Sequence, residues 1–255
     1  MLPLSLSLPS QDGSHWLTAL ALNALLIAAA QRTPLLTPAG WVHAGILGTL
    51  LWGSVGWRGW LAVVAYLALG SAVTKLGFRA KQASGLAEAR GGRRGPENVW
   101  GSALVAAALA LLAPRVGPWA TLVLLGFAAS LGAKLADTFG SEIGKRWGRH
   151  TVLITTLRPV PRGTEGAISL AGTTASAGGS ALMATVMAGL GVIETPEAWA
   201  LVSGVGLAAT LLESLIGATA QQRLPWLSNE LVNGLQTLVA ALLAMGLAPW
   251  VPGVL

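Results

Sequence analysis

Apolar residues occur along this chain in long blocks, separated by short polar segments that contain most of the charged residues. A helix that crosses a membrane needs about 20 mostly apolar residues, and several blocks approach that length. They are apolar on every helical face, whereas strands around a polar lumen would alternate with a period of two. Seven clear candidate spans cover residues 16–30, 57–74, 99–113, 119–135, 172–192, 198–218 and 231–245; an eighth, residues 41–52, is short and could span with a tilt, re-enter or stay at the interface.

The composition agrees with a membrane protein. Of the 255 residues, 53% are hydrophobic and only 10% are charged, against roughly 25% charged residues in an average soluble domain. Cysteine is absent, which excludes disulfides and thiolate metal sites in this chain. We therefore predict an all-α fold, a polytopic transmembrane helix bundle of about seven or eight spans that forms a single integral-membrane domain over residues 1–255.

Basic residues are concentrated in two of the loops between candidate spans. Eleven of the 16 lysines and arginines lie at residues 75–94 or 145–162. Lysine- and arginine-rich loops stay on the cytoplasmic side of a membrane, so we predict that both loops are cytoplasmic and that the N-terminus is external. No lysine or arginine precedes Arg32, whereas a signal peptide needs a basic first region. We therefore interpret residues 16–30 as a retained span.

The net charge of +6 could in principle indicate nucleic-acid binding. The excess lies in loops, where basic residues set topology and meet anionic lipid headgroups. The sequence contains no basic face interleaved with aromatic residues and no known nucleic-acid-binding module. We therefore expect membrane lipids around the protein and no nucleic-acid partner, and the pattern indicates no particular oligomeric state.

Three carboxylates lie inside or at the edge of candidate spans: Asp137, Glu142 and Glu213. An ionisable group in a membrane helix is unfavourable by about 2.5 to 3.5 kcal/mol on insertion scales, so each is a candidate functional residue. Ser141 lies four residues after Asp137 and shares its helical face. Glu142 lies about 140 degrees around the helix from Asp137, so it could flank the same cleft.

Internal ion pairs are the alternative explanation for these carboxylates. A spacing of three residues would pair Lys134 with Asp137. A spacing of four residues would pair Glu142 with Arg146. Glu213 differs, because its own candidate helix offers no basic residue. A carboxylate in that position needs a cation, a metal ion or a proton.

A turn rich in glycine and hydroxyl groups leads into the span at residues 172–192. Its prolines exclude a helix, and its glycines permit close backbone approach. The free N–H groups and positive dipole end of the following helix would point at an anion, to which arginines could add charge-assisted hydrogen bonds. An ordinary helix-capping loop would look similar. The residues of this candidate phosphate cradle are Arg158, Arg162, Gly163, Thr164, Gly166 and Ser169.

The basic loop at residues 85–98 has a similar composition, with two glycines next to Arg93 and Arg94. Glycines let a backbone come close to phosphate oxygens, and the two guanidinium groups could bind those oxygens. A flexible, solvated loop that sets topology would have the same composition. Arg93 and Arg94 are therefore candidate phosphate-binding residues, with this alternative open.

The last candidate span begins with a polar stripe. Its members recur at spacings of three and four residues on one helical face, and they are Glu230, Asn233, Gln236 and Thr237. Such a stripe faces the interior of a bundle. It either ties helices together by hydrogen bonds or completes a site with Glu213.

The polar motifs form an ordered set along the chain. They are Lys75-Leu76-Gly77-Phe78, Gly91-Gly92-Arg93-Arg94-Gly95, Asn98-Val99-Trp100, Ala136-Asp137-Thr138-Phe139-Gly140-Ser141-Glu142-Ile143-Gly144, Val160-Pro161-Arg162-Gly163-Thr164-Glu165-Gly166-Ala167-Ile168-Ser169, Glu213-Ser214 with Gly217, and Asn233 with Gln236-Thr237. In this order the set resembles the integral-membrane family that contains the phytyl-phosphate kinase of plants and cyanobacteria. The resemblance covers residues 75–237, and each motif alone would be a weak signal.

The resemblance implies transfer of a phosphoryl group from CTP, or another nucleoside triphosphate, to an isoprenoid monophosphate such as phytyl phosphate. The product would be a diphosphate of the kind used in tocopherol biosynthesis. Phosphoryl transfer depends on metal ions, positive clamps and positioning, so the resemblance also implies a Mg²⁺ cofactor.

The same resemblance assigns roles to the candidate residues. The catalytic residues would be Asp137, Ser141, Glu142 and Glu213, and the three carboxylates among them would hold Mg²⁺. The residues that bind phosphate or nucleotide would be Lys75, Arg79, Arg93, Arg94, Arg158, Arg162, Gly163, Thr164, Gly166, Ser169, Asn233 and Gln236, with the first two at the acceptor phosphate.

Other functions remain open at this point. A transporter or channel for a cation or small anion would use the three carboxylates as ion ligands near the bilayer midplane. Two other enzymes would use similar residues: a CTP-dependent kinase of a free isoprenoid alcohol, and a cytidylyltransferase that acts on a lipid phosphate. A phosphotransferase predicts a polar site near the cytoplasmic edge.

Overall fold

The computed structural model describes residues 8–9 and 11–255, and it confirms the predicted all-α bundle. The α-helices are α1 (Gly13–Ala30), α2 (Pro38–Lys75), α3 (Phe78–Ala83), α4 (Pro96–Leu112), α5 (Ala120–Trp147), α6 (Leu170–Gly189), α7 (Pro196–Ala218), α8 (Ala220–Arg223) and α9 (Asn229–Leu247). Short 3-10 segments lie at Ala89–Gly92, Ala113–Arg115, Gly117–Trp119 and Ala248–Trp250.

Hydroxyl side chains and prolines determine where several helices begin. Ser169, Thr195 and Ser228 each accept a hydrogen bond from the backbone N–H three residues later, at 3.1, 3.1 and 3.3 Å. Thr37 caps α2 in the same way at 3.0 Å. The next residue, Pro38, lacks the N–H that the first turn of a helix leaves unpaired. The caps therefore satisfy donors for which an apolar bundle has no other partner.

Six helices among the described residues are long and apolar enough to cross a membrane: α1, α2, α4 and its 3-10 extension, α5, α7 with α8, and α9 with its 3-10 end. α6 is not one of the six, because its glycines, serines and threonines lower its mean hydropathy. It nevertheless packs closely along α5. Small residues on α6 therefore serve helix contact, as they do in many membrane bundles.

The predicted spans at residues 41–52 and 57–74 are the two halves of α2, which breaks at Gly56. This residue has φ 75° and ψ −173°, a conformation that glycine adopts readily. The halves lie side by side, because a Cβ atom on Gly48 would come within 3.0 Å of Trp60 Nε1; in a straight helix those positions would be about 18 Å apart. α2 is therefore a helical hairpin, and the uncertain eighth segment packs as a full helix.

α5 is the central helix of the bundle and packs against α2, α4, α6, α7 and α9. Phe127, Leu131 and Leu135 on α5 are completely buried. The contact with α6 is close, because a Cβ atom on Gly140 would lie 2.0 Å from Ser176 Oγ. Since α5 has neighbours on all sides, its polar residues can only face other helices or an internal cavity.

Hydrogen bonds from Gln236 join three of these helices. Its Nε2 atom on α9 donates to the carbonyl oxygen of Ala133 on α5 and to Thr210 Oγ1 on α7, both at 3.1 Å. Thr210 Oγ1 also donates to the carbonyl oxygen of Gly206 at 2.9 Å. For Gln236 the structure therefore supports the first explanation of the polar stripe, in which it ties helices together.

Two short strands follow α5, a feature that the sequence did not predict. β1 (Thr151–Leu153) and β2 (Ala167–Ser169) pair antiparallel, with Thr151 opposite Ser169. The turn between them contacts the end of α7 at Gly166, which has φ 74° and where a Cβ atom would lie 2.4 Å from that of Ala218. Glycine at this position therefore allows the β-hairpin to pack against α7.

Buried ion pairs hold the polar end of the bundle together. Lys134 pairs with Asp137, as the three-residue spacing predicted. The predicted pair of Glu142 with Arg146 is wrong: Glu142 pairs with Lys81, which is 1% exposed and also donates to the carbonyl oxygen of Thr74 at 2.8 Å. Lys81 lies on the six-residue helix α3, so this pair docks α3 on α5.

We predict that Lys81→Met destabilises the protein by about 3–5 kcal/mol, because it leaves the carboxylate of Glu142 buried without its main partner. Thermal unfolding in detergent would measure the loss. Lys75→Met is the matched control, because Lys75 is exposed at the C-terminal end of α2. This substitution should leave the unfolding temperature unchanged.

The double variant Lys81→Met with Glu142→Leu removes both charges and should recover much of the lost stability. An unfolding temperature for Lys81→Met equal to that of the wild type would contradict the structural role of this ion pair.

Candidate functional site

A cavity of about 250 Å³ lies at one end of the bundle. It is formed where α2, α5 and α7 end and where α4, α6 and α9 begin, and it is covered by the loop before α4 and by the β-hairpin. Among the lysines and arginines that the structure describes, only Arg58 and Arg115 lie at the opposite end of the helices. The cavity and the basic loops therefore share one end.

Most of the predicted site residues meet in this cavity. They come from the loop before α4, from α5, from the β-hairpin and from α7 and α9, which are distant in sequence. The predicted residues that line it are Arg93, Arg94, Asp137, Ser141, Glu142, Arg162, Gly163, Thr164, Gly166, Ser169, Glu213 and Asn233.

Asp137 and Glu213 form the acidic part of the cavity. Asp137 is 8% exposed, pairs with Lys134, and accepts a hydrogen bond from Ser141 Oγ at 3.3 Å. Glu213 lies on α7, close enough to interact electrostatically with both Asp137 and Lys134. Within the described part of the chain Glu213 has no ion-pair partner at salt-bridge distance. Glu142 also lines the cavity, but one of its carboxylate oxygens pairs with Lys81, and the other lies 3.9 Å from Lys145 Nζ.

Three arginines of the cavity have no carboxylate partner at salt-bridge distance among the described residues: Arg93, Arg94 and Arg162. Arg94 donates from Nη1 to the hydroxyl of Tyr66 at 2.8 Å, and its guanidinium carbon lies 5.3 Å from the centre of the tyrosine ring. Arg162 donates to the carbonyl oxygen of Arg146 at 3.2 Å. These guanidinium groups keep free N–H donors that an anion could accept.

Three helices begin at the cavity, and each directs its positive dipole end toward it. α6 contributes Gly172 and Thr173, α9 contributes Asn229 and Asn233, and α4 contributes Asn98. The hydroxyl of Ser169 is already used to cap α6, which supports the helix-capping explanation for that residue. The helix starts and the arginines together favour anion binding in this cavity.

Four predicted residues lie outside the cavity lining. Gln236 is buried and ties helices together, as described above. Lys75, Arg79 and Arg158 are exposed, and Arg158 lies in the turn of the β-hairpin, beyond β1. Their proposed contacts with phosphate stay predictions.

The cavity also contains residues that the sequence did not single out for the site. Tyr66 is the single tyrosine of the chain and lies in an apolar span, with no motif around it. Lys145 and Glu88 pair at 3.1 Å across the cavity rim. Lys145 lies three residues after Glu142, a spacing that could have indicated a shared face, whereas no local signal identifies Tyr66 or Glu88.

Glu88 shows how the basic surroundings act on a carboxylate outside the spans. Partial burial alone would raise its pKa, but the ammonium group of Lys145, with smaller contributions from Glu142 and Arg94, more than offsets this effect, so the pKa of Glu88 lies below its ordinary value. The pair therefore stabilises the fold above the ordinary pKa of a glutamate, and this contribution is lost as the pH falls through the lowered pKa.

The donor set of the cavity fits a hard cation that is shared with a substrate. Among the described residues no three acidic or histidine side chains are grouped closely enough to hold a metal ion by themselves. Mg²⁺ usually binds through one or two carboxylates together with water and substrate phosphates. Asp137 and Glu213 offer such a pair, so the site fits Mg²⁺ bound with a phosphate, but not a cage made of protein ligands alone.

Comparison with known proteins identifies related chains. The chain is 49% identical to an uncharacterised membrane protein of Synechocystis sp. over 91% of both chains. It is 41% identical to the protein VTE6, chloroplastic, of Arabidopsis thaliana, over 90% of this chain and 71% of the relative. An uncharacterised membrane protein of Methanocaldococcus jannaschii is 30% identical over 81% of this chain and 83% of the relative. No solved structure matches the chain.

A family model described as integral membrane protein DUF92 matches residues 21–241. The match begins well before residue 75, so it includes α2 and most of α1, and it ends inside α9. It therefore covers all the elements that form the cavity. On the extent of this match and the identity to its relatives, the chain belongs to the DUF92 family of integral membrane proteins.

Proposed function

We propose that this protein is a membrane-embedded phosphotransferase that transfers the γ-phosphoryl group of CTP, or of another nucleoside triphosphate, to an isoprenoid monophosphate. The sequence resemblance and the identity to the Arabidopsis relative support this reaction class, and phytyl phosphate is the acceptor that the resemblance suggests. The observation that carries the proposal is one cavity in which free guanidinium groups, three helix starts and a carboxylate pair meet at the end of an apolar bundle.

The cationic groups of the cavity would bind the phosphates. Two segments that are separate in the sequence supply these groups, and both border the cavity. Arg162 belongs to the β-hairpin, and Arg93 and Arg94 belong to the loop before α4. Guanidinium groups bind phosphate oxygens through paired charge-assisted hydrogen bonds. Donor and acceptor phosphates bound between the two segments would be held close together, which is the main requirement for phosphoryl transfer.

Asp137 and Glu213 would hold Mg²⁺ together with phosphate oxygens. When bound, the ion would supply neutralisation of negative charge on the transferring group. Lys134 lies against Asp137, so this carboxylate stays oriented toward the cavity. Ser141 Oγ donates to the other oxygen of Asp137 and fixes its rotation in the same way.

The reaction itself needs little from side chains as acids or bases. An oxygen of the acceptor phosphate forms the new bond to the γ-phosphorus, while the bond from that phosphorus to the β-phosphate oxygen breaks. The products are the isoprenoid diphosphate and a nucleoside diphosphate. Because the acceptor phosphate is already anionic, no side chain has to remove a proton before attack.

We also propose that the cavity faces the cytoplasm and that the N-terminus lies on the other side of the membrane. The concentration of lysine and arginine at the cavity end supports this orientation. Nucleoside triphosphates are cytoplasmic substrates in this arrangement. The rest of the bundle interior is largely apolar, with Phe127, Met183, Met187 and Val202 fully buried. An ion transporter would require a polar path through the whole membrane. These apolar side chains fill the part of the bundle interior away from the cavity, which argues against such a path.

The decisive experiment is a product assay with purified protein, Mg²⁺, CTP and, in parallel reactions, phytyl monophosphate, geranylgeranyl monophosphate or the corresponding free alcohols. We expect CDP and the isoprenoid diphosphate in equal amounts. Release of pyrophosphate would indicate a cytidylyltransferase, and turnover of the free alcohol alone would indicate an alcohol kinase. No turnover with CTP, ATP, GTP or UTP across these acceptors would refute the phosphotransferase proposal.

Glu213→Gln tests the metal role without leaving a lysine or arginine unpaired, since no ion pair of Glu213 exists in the described residues. We expect the Mg²⁺ concentration for half-maximal rate to rise by at least roughly 10- to 100-fold, the range found when groups around a metal are removed. Glu197→Gln, at the exposed opposite end of the same helix, is the control and should match the wild type. An unchanged Mg²⁺ dependence in Glu213→Gln would exclude this carboxylate as a ligand.

Arg162 and Arg158 provide a matched pair on the β-hairpin, because only Arg162 lines the cavity. Loss of one charge-assisted hydrogen bond is worth about 1.5–3 kcal/mol, so Arg162→Gln should lower kcat/KM for the nucleotide by roughly 10- to 150-fold. Arg158→Gln should leave kcat/KM near that of the wild type, because Arg158 lies outside the cavity lining; a loss in this variant would instead support the phosphate contact that the sequence predicted for Arg158. Equal effects of the two substitutions in steady-state kinetics would contradict a phosphate contact that only Arg162 makes.

A further inference from the structure

A second cavity, of about 300 Å³, lies between α1, α2 and α4. Side chains such as Ile27, Leu47, Val63, Leu67 and Ala103 make its walls almost entirely apolar. A cavity of this kind is too apolar to hold ordered water. Its natural occupant is a hydrocarbon chain.

The two cavities share a wall. Tyr66, Arg94, Asn98 and Ser102 line both of them, and the hydrogen bond from Arg94 to the Tyr66 hydroxyl lies at the junction. On one side of this junction are the cationic groups of the candidate site, and on the other side are apolar side chains. The two adjacent cavities, separated only by these shared side chains, therefore match a single molecule with an anionic head and a hydrocarbon tail.

We propose that the cavity between α1, α2 and α4 binds the isoprenoid chain of the acceptor, while the phosphate of the same molecule passes Arg94 into the polar cavity. This inference rests on the proposed function, to which it adds the location of the chain. It also identifies Arg94 as the group at which the acceptor changes from polar to apolar surroundings.

A hydrogen-bonded floor closes the apolar cavity. Trp60 Nε1 donates to Asn23 Oδ1 at 2.9 Å, and Asn23 Nδ2 donates to the carbonyl oxygen of Ala19 at 2.9 Å. Asn23 is 3% exposed, and Gly48 leaves room for it, because a Cβ atom there would lie 2.1 Å from Asn23 Oδ1. The floor joins α1 to both halves of α2, so it is fixed from three sides.

The distance from the mouth to the floor limits the length of chain that can be buried. A Cβ atom on Gly40 would lie 2.5 Å from the carbonyl oxygen of Arg94, which places Gly40 at the mouth. Gly48 lies two helical turns further along the same segment, about 12 Å away. Ala44 lines the cavity halfway between them. A short chain would leave the cavity partly empty, and a long one would extend past α1 or fold back.

The packing of α1 explains how a membrane-bound chain reaches this cavity. α1 and α4 both pack against α2, and they make few contacts with each other. Both of them line the cavity, so under this proposal the acceptor enters through the gap between them. An acceptor whose chain lies in the membrane could therefore move in sideways without leaving the bilayer.

A series of acceptors of increasing length tests the role of the cavity. With dimethylallyl, geranyl, farnesyl and geranylgeranyl monophosphate, kcat/KM should rise with each added unit and then level off once the chain reaches the floor. Ala44→Phe fills the middle of the cavity and should lower kcat/KM for the two longest acceptors by about tenfold or more, an effect of the size expected for a pocket contact. The value for dimethylallyl monophosphate should stay unchanged.

Ala108→Phe is the matched control, because Ala108 is exposed on α4 and does not line the cavity. This variant should keep the chain-length profile of the wild type. Ala44→Phe with a wild-type profile, in protein that remains monodisperse in detergent, would overturn the inference. If Ala44→Phe fails to fold, the photolabelling experiment below tests the inference with the wild-type protein.

Photolabelling gives a readout that does not need turnover. Farnesyl monophosphate with a diazirine at the chain end should label wild-type peptides from α1, α2 and α4, and unlabelled geranylgeranyl monophosphate should compete. Labels confined to α5–α9 would overturn the inference even if the protein turns over its acceptor. Labels in the apolar cavity without turnover of any acceptor would support the chain site and refute the phosphotransferase proposal, so the two failures are distinguishable.

Discussion

Charged groups inside this bundle are stabilised mainly by partners that the bundle itself provides, because lipid offers no hydrogen bonds. The ion pair of Lys134 and Asp137 is the central case. It lies on α5, which has neighbours on all sides, so both charges face the cavity and the helices that border it. Because the pair cannot be exposed to lipid, α2, α4, α6, α7 and α9 must all present polar atoms or helix ends at the same level. That requirement confines the chemistry to one end of the bundle.

The same constraint divides the residues of the polar motifs into those that bind other helices and those that are available to a ligand in the cavity. On α9, Gln236 joins α5 and α7 by hydrogen bonds, while Asn233, one turn nearer the helix start, lines the cavity. Asp137 and Glu142 on α5 both line the cavity and both pair with a lysine, but the lysine of Asp137 belongs to the same helix, whereas that of Glu142 belongs to α3. Residues that look equivalent in the sequence therefore differ in what they can offer a ligand, and the difference depends on which helix each one faces.

Much of the fold was visible in the sequence, because apolar blocks of sufficient length dictate membrane helices. The Lys134–Asp137 pair was also predictable from its spacing, since it lies within one helical turn. The separate candidate spans at residues 41–52 and 57–74 already implied a break between them, but its position at Gly56 was not predictable, because one glycine among many carries no signal for a positive φ. The partner of Glu142 lies 61 residues away in sequence, and Tyr66 reaches the cavity only through the packing of α2. Spacing rules predict contacts between residues of one helix, so they could not predict the contacts between helices.

The two buried lysine–carboxylate pairs differ in how they can form while the chain enters a membrane. Lys134 and Asp137 belong to one turn of α5, so they neutralise each other as soon as that turn is helical, and the helix needs no other partner at that moment. The carboxylate of Glu142 depends on Lys81, which lies on a separate short helix that is synthesised earlier. The last turns of α5 therefore reach their final charge balance only after α3 has docked, which makes α3 part of the assembly pathway as well as of the finished bundle.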